Sequence, residues 1–268
     1  MPDPATRTMT ACLPPAVVAA GPLRRAARLC AATVVLVAAL PLYPVLLPAS
    51  ATWRTRLVKH WARLLLRAIG VTVRLTIDQG GGAGGGISAG ALIVANHVSW
   101  LDPLVLAATV PARTLAGREL RRRPIVGALA AAGGTMFIDG EDAPAAVRAV
   151  ARALRDGDTV IAFPEGAASR GVRTGAFRPA VFQAAIDADA VIRAAALRYY
   201  EGDAPSTRGS WACDDPITAS LLRVVATRNL RAEVRVSAPL GPVPAGRPQQ
   251  VRALLARSAE SQVRAALA

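Results

Sequence analysis

The spacing of apolar residues changes character at Val71. Beyond it, short runs of crowded or alternating apolar side chains are separated by longer runs in which they recur every three or four positions. "VTVRLTI" (71–77), "ALIVAN" (91–96), "TMFID" (135–139), "TVIAFPEG" (159–166), "AVIRAAALRYY" (190–200) and "AEVRVSAPL" (232–240) read as strands. "DPLVLAATV" (102–110), "APAAVRAVARALRDG" (143–157), "PAVFQAAIDAD" (179–189), "ITASLLRVVATR" (217–228) and "QQVRALLARSAESQVRAAL" (249–267) read as helices. Strands that are apolar almost throughout are buried on both faces. Over 71–268 the alternation therefore predicts an α/β domain, a largely parallel sheet flanked by helices.

Before Val71 the pattern differs. Residues 1–22 are rich in Pro, Ala and Thr without periodicity and read as a disordered leader. Residues 23–70 read as N-terminal membrane-associated helices. Arg24, Arg25 and Arg28 precede an uncharged stretch from Leu29 to Trp53. Roughly 20 apolar residues can cross a bilayer, and the flanking arginines would keep the N-terminal side in the cytoplasm. Pro41 and Pro44 predict a kinked or re-entrant segment at 29–47 over one straight span. Ala49-Ser50-Ala51 gives the stretch a signal-peptide ending, but its apolar region is too long for one. In "WRTRLVKHWARLLLRAIG" (53–70), Trp53, Leu57, Trp61, Leu64, Leu65 and Ala68 share one helical face, with Arg56, Lys59, Arg63 and Arg67 opposite. Such a helix suits an anionic membrane surface. Packing on the domain is the alternative, and the two are compatible if one edge of the stripe is covered.

Composition sharpens this picture. Hydrophobic residues make up 53% and mean hydropathy is +0.35, which points to membrane attachment. The formal charge is +14, carried by arginine, since Lys59 is the only lysine. An excess of base favours nucleic acid or an anionic membrane surface. Aromatics are 4% and not interleaved with the arginines, and no zinc-finger or homeodomain pattern occurs, so nothing but charge argues for nucleic acid. Cys12, Cys30 and Cys213 are odd in number and far apart, giving neither a disulfide framework nor a metal site.

Candidate chemistry lies at the end of the second strand. Gly86-Ile87-Ser88-Ala89-Gly90 matches the nucleophile elbow G-x-S-x-G, but it precedes a strand and no acid lies between Ser88 and the one later histidine, His97. The glycine run at 80–86 lacks a following Gly-Lys-[Ser/Thr] and reads as a flexible connector. "ANHVSWLD" places His97 where open α/β sheets put their ligands, with Asp102 five residues on. Asp102 before Pro103 also fits a plain helix cap. Residues five apart on a helix are about 140° apart, so His97 must lie outside the helix to meet Asp102. If it does, the pair is a general base whose tautomer a carboxylate holds. On residue chemistry alone, the cap and the catalytic pair stand level.

"NHVSWLD" resembles the Asn-His-x4-Asp box of the glycerolipid acyltransferases, the 1-acyl-glycerol-3-phosphate acyltransferase family. "GRELRRRPIVGALAAAGGTMFID" is similar to its second block, a basic helix leading to a Phe-Ile-Asp strand. "VIAFPEGAAS" is similar to its Phe-Pro-Glu-Gly-Thr-Arg-Ser box, and "AVIRAAALRY" sits where its fourth strand would be. The resemblance covers roughly residues 50 to 240. It implies the glycerolipid acyltransferase fold and a membrane-associated lysolipid O-acyltransferase whose domain faces the cytoplasm. In that reading His97 deprotonates a lysolipid hydroxyl that attacks the thioester of acyl-CoA or acyl-carrier protein. Asp102 orients the imidazole, and neither metal nor cofactor takes part. Asn96, Ser99, Glu165 and Gly166 would bind substrate, with Arg118 against donor phosphates, carrier protein or lipid head groups.

The departures concern the acceptor. Ala167 and Ala168 stand where the third box has threonine and arginine, Gly140 where the second block ends in arginine, and Arg193-Ala194 where the fourth has proline. Arg170, Arg173 or Arg178 would have to hold an acceptor phosphate instead. Otherwise the acceptor carries no glycerol phosphate. "GAFRPAVFQAA", "RYY" and "WACDDPITASLLRVV" are similar to the branch that acylates lyso-ornithine lipid, and Trp211 and Asp214-Asp215 would then line the acceptor pocket or form a plain loop. A non-catalytic, basic membrane-surface protein on the same fold is the remaining alternative.

Overall fold

The computed structural model describes residues 19–42, 48–78, 86–138, 143–166, 174–210, 216–243 and 245–268. Strands are β1 (Val71–Ile77), β2 (Leu92–Ala95), β3 (Arg113–Gly117), β4 (Met136–Ile138), β5 (Val160–Ala162), β6 (Ile192–Glu201), β7 (Ala204–Pro205) and β8 (Leu230–Pro239). Helices are α1 (Pro22–Ala39), α2 (Ala51–Ala68), α3 (Asp102–Thr109), α4 (Arg118–Arg121), α5 (Pro124–Ala132), α6 (Ala143–Arg155), α7 (Ala180–Ala188), α8 (Ile217–Ala226) and α9 (Pro248–Leu267). The sheet runs β1-β8-β6-β2-β5-β3-β4, with β7 added to β6. Pairing is parallel except between β6 and its neighbours β8 and β7. The expected α/β architecture is therefore present.

Both faces of the sheet are covered, because β2 sends alternate side chains to opposite sides. Ile93 and Ala95 join Leu65 and Leu66 of α2, Val105 and Leu106 of α3 and Val224 of α8. Leu92 and Val94 join Leu154 of α6, Phe182 of α7 and Leu255 of α9. The second block is two helices, not one. Pro124 opens α5 after a break at Arg122 and Arg123. Gly127 is needed there, since a Cβ would lie 2.5 Å from the Arg121 carbonyl oxygen.

The apolar N-terminal segment breaks at Pro41, one of the two prolines from which a kink was expected. Helix α1 begins early enough to include Arg24, Arg25 and Arg28, and a 3-10 turn at Leu40–Leu42, holding Pro41, ends it. Among the described residues no helix is long and apolar enough to cross a membrane. Ordered chain also starts before the expected boundary at 22. Ala19 bridges Thr227, and the Ala20 amide donates to the Ala226 carbonyl at 2.7 Å. The rest of the leader lies outside the described residues.

Arg28 fastens α1 to the domain. Its guanidinium donates to the carbonyls of Val225 (2.8 Å), Thr227 (2.6 Å) and Arg228 (3.2 Å), satisfying groups that the end of α8 leaves open. Helix α2 buries Ala62, Leu65 and Leu66 but leaves Trp53 and Leu64 exposed, so only one edge of its apolar stripe is covered.

Arg193 performs a similar task inside the sheet. It is buried, and its guanidinium donates to Ser237 O (3.0 Å), Gly86 O (3.1 Å) and Asp78 O (2.7 Å). These carbonyls flank the glycine-rich connector, whose residues 79–85 lie outside the described residues. Arg193→Leu removes three donors and strands three carbonyls. It is expected to lower stability by about 2–4 kcal/mol, seen as a lower denaturation midpoint in urea with an unchanged slope.

Candidate active site

The elements around His97 converge at the C-terminal rim of β2, β5 and β6, three adjacent strands. Asn96 closes β2. Its side-chain amide donates to Leu197 O (3.0 Å) and its side-chain oxygen accepts from Leu197 N (2.8 Å), continuing the ladder to β6. This amide is buried and engaged with the main chain, and Asn96 also borders the cleft described below. His97 lies outside the helix, as the pairing requires.

Asp102 is the first residue of α3, not its cap. Leu101 holds the cap position without a side-chain bond, and Pro103 follows in the first turn. The carboxylate instead reaches backward. Its Oδ2 accepts from Val98 N (2.6 Å) and Ser99 N (2.8 Å) and meets His97 Nδ1 at 2.9 Å. Its Oδ1 accepts from the Tyr199 hydroxyl at 2.7 Å. Asp102 has no exposed surface, and four donors compensate the lost water. Burial first, and then the Asp102 charge, push the Tyr199 pKa well above its ordinary value, so the phenol keeps the proton that it donates.

Ser99 is buried and its Oγ accepts from Leu101 N (3.1 Å), closing the turn from inside. That is a structural place, unlike its expected contact with substrate. Phe163, at the end of β5, stacks on the imidazole with centroids 4.4 Å apart and planes 28° apart. The ring is thus held at Nδ1 by the carboxylate and across its face by phenylalanine. With Nδ1 on the carboxylate, Nε2 is the ring's other proton-exchanging nitrogen.

Glu165 also takes a place other than the expected one. Its Oε1 accepts from His97 N (2.9 Å) and its Oε2 from Gly175 N (2.8 Å). Both oxygens serve main-chain amides, so this side chain braces the rim. Burial raises its pKa above the ordinary value, opposed by those two amides. Gly166 adopts φ +87°, and the Arg178 guanidinium lies against its open face, 3.2 Å from where a Cβ would be. Arg178 is therefore brought to the third box. Arg118 opens α4 on the same rim but two strands away from β2. Arg170, Arg173, Gly140, Trp211, Asp214 and Asp215 lie outside the described residues.

Tyr199 and Phe163 were absent from the sequence-based candidates, although both are quoted in its motifs. Their roles come from strand register, which no local spacing records. Gly86–Gly90 forms a connector into β2 in which the Ser88 carbonyl accepts from Thr159 Oγ1 (3.4 Å), not a strand-to-helix elbow. Among the described residues no three His, Cys, Asp or Glu side chains gather as a metal-ligand set. Beside the His97–Asp102 pair opens a cleft of about 440 Å³, lined by Val98, Tyr199, Arg198, Ser206, Thr207 and Arg264 among others.

Residues 76–198 match the family model described as Acyltransferase. The 1-acyl-sn-glycerol-3-phosphate acyltransferase of Neisseria gonorrhoeae is 36% identical over 148 residues, 54% of this chain and 58% of that protein. The match thus spans little more than half of that relative's length. The lyso-ornithine lipid O-acyltransferase of Pseudomonas aeruginosa is 31% identical over 216 residues, 80% of this chain and 79% of that protein. The crystal structure of the 1-acyl-sn-glycerophosphate (LPA) acyltransferase of Thermotoga maritima shares the fold, with a TM-score of 0.63 at 17% identity over 92% of this chain and 95% of that one. With one relative similar across four-fifths of both chains and the histidine–aspartate pair in contact, the chain belongs to the acyltransferase family.

Proposed function

We propose that the protein is a lysolipid O-acyltransferase, transferring an acyl group from acyl-CoA or acyl-carrier protein to a lysolipid hydroxyl. The observation that carries the reading is the 2.9 Å contact of His97 Nδ1 with a fully buried carboxylate. His97 Nε2 takes the hydroxyl proton as the oxygen attacks the thioester carbonyl. The tetrahedral intermediate then expels the thiolate, which receives that proton from the imidazolium. Asp102 holds the Nδ1–H tautomer and stabilises the passing positive charge. No acyl-enzyme forms in this scheme, because base and both substrates meet in one step.

Two acceptors remain, each with its own support. The block order and the Neisseria relatives favour 1-acyl-sn-glycerol-3-phosphate, which would place the reaction in phospholipid biosynthesis. Ala168 in the third box and the longer match to the Pseudomonas relative favour lyso-ornithine lipid.

Attachment to an anionic membrane surface is part of the proposal, with the domain on the cytoplasmic side. Leu23, Val34, Val37, Trp53 and Leu64 are exposed on α1 and α2, near Arg24, Arg25, Arg56 and Arg67. Helices that lie in the interface in this manner deliver a lysolipid directly from the bilayer.

His97→Ala is expected to lower acyl transfer by a factor on the order of 10²–10⁴, and Asp102→Asn by a similar factor through the wrong tautomer. A radiolabelled acyl-CoA assay measures both, and an unaltered rate in His97→Ala removes the enzyme reading. Val34→Glu with Val37→Glu, at positions 66% and 57% exposed, is expected to reduce co-sedimentation with anionic vesicles and leave the melting temperature near that of the parent. Glu165 gives a test in pH. Its raised pKa means that the folded state keeps a proton which the unfolded state has released, so stability falls as pH rises through that window. Thermal melting between about pH 4 and 7 should show the advantage of the parent over Glu165→Gln shrinking with rising pH; a widening gap contradicts the assignment.

A further inference from the structure

We propose that the anionic part of the acceptor head group seats in the cleft between the end of β6, the turn at 205–210 and the C-terminal turn of α9, held by Arg198. The inference rests on the lysolipid acyltransferase reading and deepens it by naming where the acceptor's charge is recognised. The cleft, about 440 Å³, has the size of a small-ligand site. Its lining includes neither His97 nor Asp102, but two residues that donate to Asp102 reach it. Val98, whose amide donates to Asp102, and Tyr199, whose hydroxyl donates to the other oxygen of Asp102, both line it. In a lysolipid the charged group and the reactive hydroxyl are joined by a few bonds, so their two sites must be neighbours.

The lining of this cleft carries two guanidiniums, Arg198 and Arg264. Arg198 is partly buried, and among the described residues its guanidinium has no hydrogen bond or ion pair. Its cross-strand partner Glu233 is engaged by Arg231 Nε at 3.0 Å. Arg264, on the other wall, pairs with Glu260 at 2.7 Å. Thr207 Oγ1 is buried there without a partner among the described residues. A guanidinium presents five donors and no acceptor, and those of Arg198 face the cleft without a protein partner among the described residues. A carboxylate or a phosphate matches that planar fork with two parallel hydrogen bonds, and the Thr207 hydroxyl adds a third donor. The third box carries Ala167 and Ala168 where the family has threonine and arginine, and there the Arg178 guanidinium lies against Gly166. On the β6 side a guanidinium stands open. The acceptor's anion therefore enters from β6, with its hydroxyl directed to His97.

The test uses the full chain in detergent or vesicles with two acceptors in parallel, lysophosphatidic acid and lyso-ornithine lipid, for parent, Arg198→Ala and Arg198→Lys. Loss of a charge-assisted bidentate contact should raise the acceptor KM of Arg198→Ala by roughly 10- to 100-fold. The donor KM should stay within about twofold, since donor contacts are not part of this cleft, and Arg198→Lys should recover part of the loss. The acceptor that shows the rise identifies the anion as phosphate or carboxylate. Melting temperatures near that of the parent exclude unfolding as the cause, and Arg198→Lys carries the comparison if the alanine variant fails to fold. An active parent with unmoved acceptor KM in the variants overturns this inference and leaves the reaction standing. A parent inactive on both acceptors overturns the reading beneath it and this inference together.

Discussion

A carboxylate without exposed surface is stable only when donors enclose it, and at this rim Asp102 imposes that condition on three strands. The amides of Val98 and Ser99 turn inward to meet it, which sets the path of the chain directly after His97. The Tyr199 hydroxyl reaches it from β6, fixing how far that strand extends past β2. The imidazole completes the set. From the opposite side Glu165 takes the His97 amide, and Phe163 lies along the ring. One buried charge thus determines both the turn that carries the histidine and the direction in which the ring faces. Removing it would leave two inward-facing amides and a buried phenol without an acceptor.

The features legible in sequence were those with a local period. Strands β1, β2, β5, β6 and β8 announce themselves through crowded β-branched and aliphatic residues, and α6 through its three-to-four spacing. The His97–Asp102 contact was not decided by local spacing, which left a helix cap equally open, and it was the resemblance of the whole box that favoured the pair. Tyr199 was not legible, because its place against Asp102 depends on β2 pairing with β6 across about a hundred residues of chain. Phe163 and Glu165 depend likewise on β2 pairing with β5. Strand β3, "RTLAG", has neither alternation nor a β-branched run. It becomes a strand because β5 and β4 supply its hydrogen bonds and because Arg113 ties its start to Gly134 O and Asp158. The apolar window at 29–53 held Pro41 and Pro44, which pointed to a kink over a straight span, and a 3-10 turn holds Pro41. The window's composition suits a span, but the helix begins upstream among arginines and ends at Leu40–Leu42.

The strong positive charge first suggested a polyanionic partner. Part of it also serves the fold. Arg25, Arg28, Arg63, Arg113, Arg155, Arg193, Arg223 and Arg264 all donate to main-chain carbonyls, several of them at helix ends or between loops distant in sequence. These guanidiniums keep their charge while their donors tie segments of the chain together. Arg24, Arg56 and Arg67 on α1 and α2, and Arg198 at the end of β6, make no such bond among the described residues.

That Arg28 and Arg193 each join three carbonyls gives the near absence of lysine a structural meaning. A planar fork with five donors can staple three peptide units into one plane-sharing joint, while an ammonium is a compact, strongly hydrated point charge on a loose stem. Charge-preserving drift from arginine to lysine, silent on most protein surfaces, would here loosen joints between segments that lie roughly two hundred and one hundred residues apart along the chain.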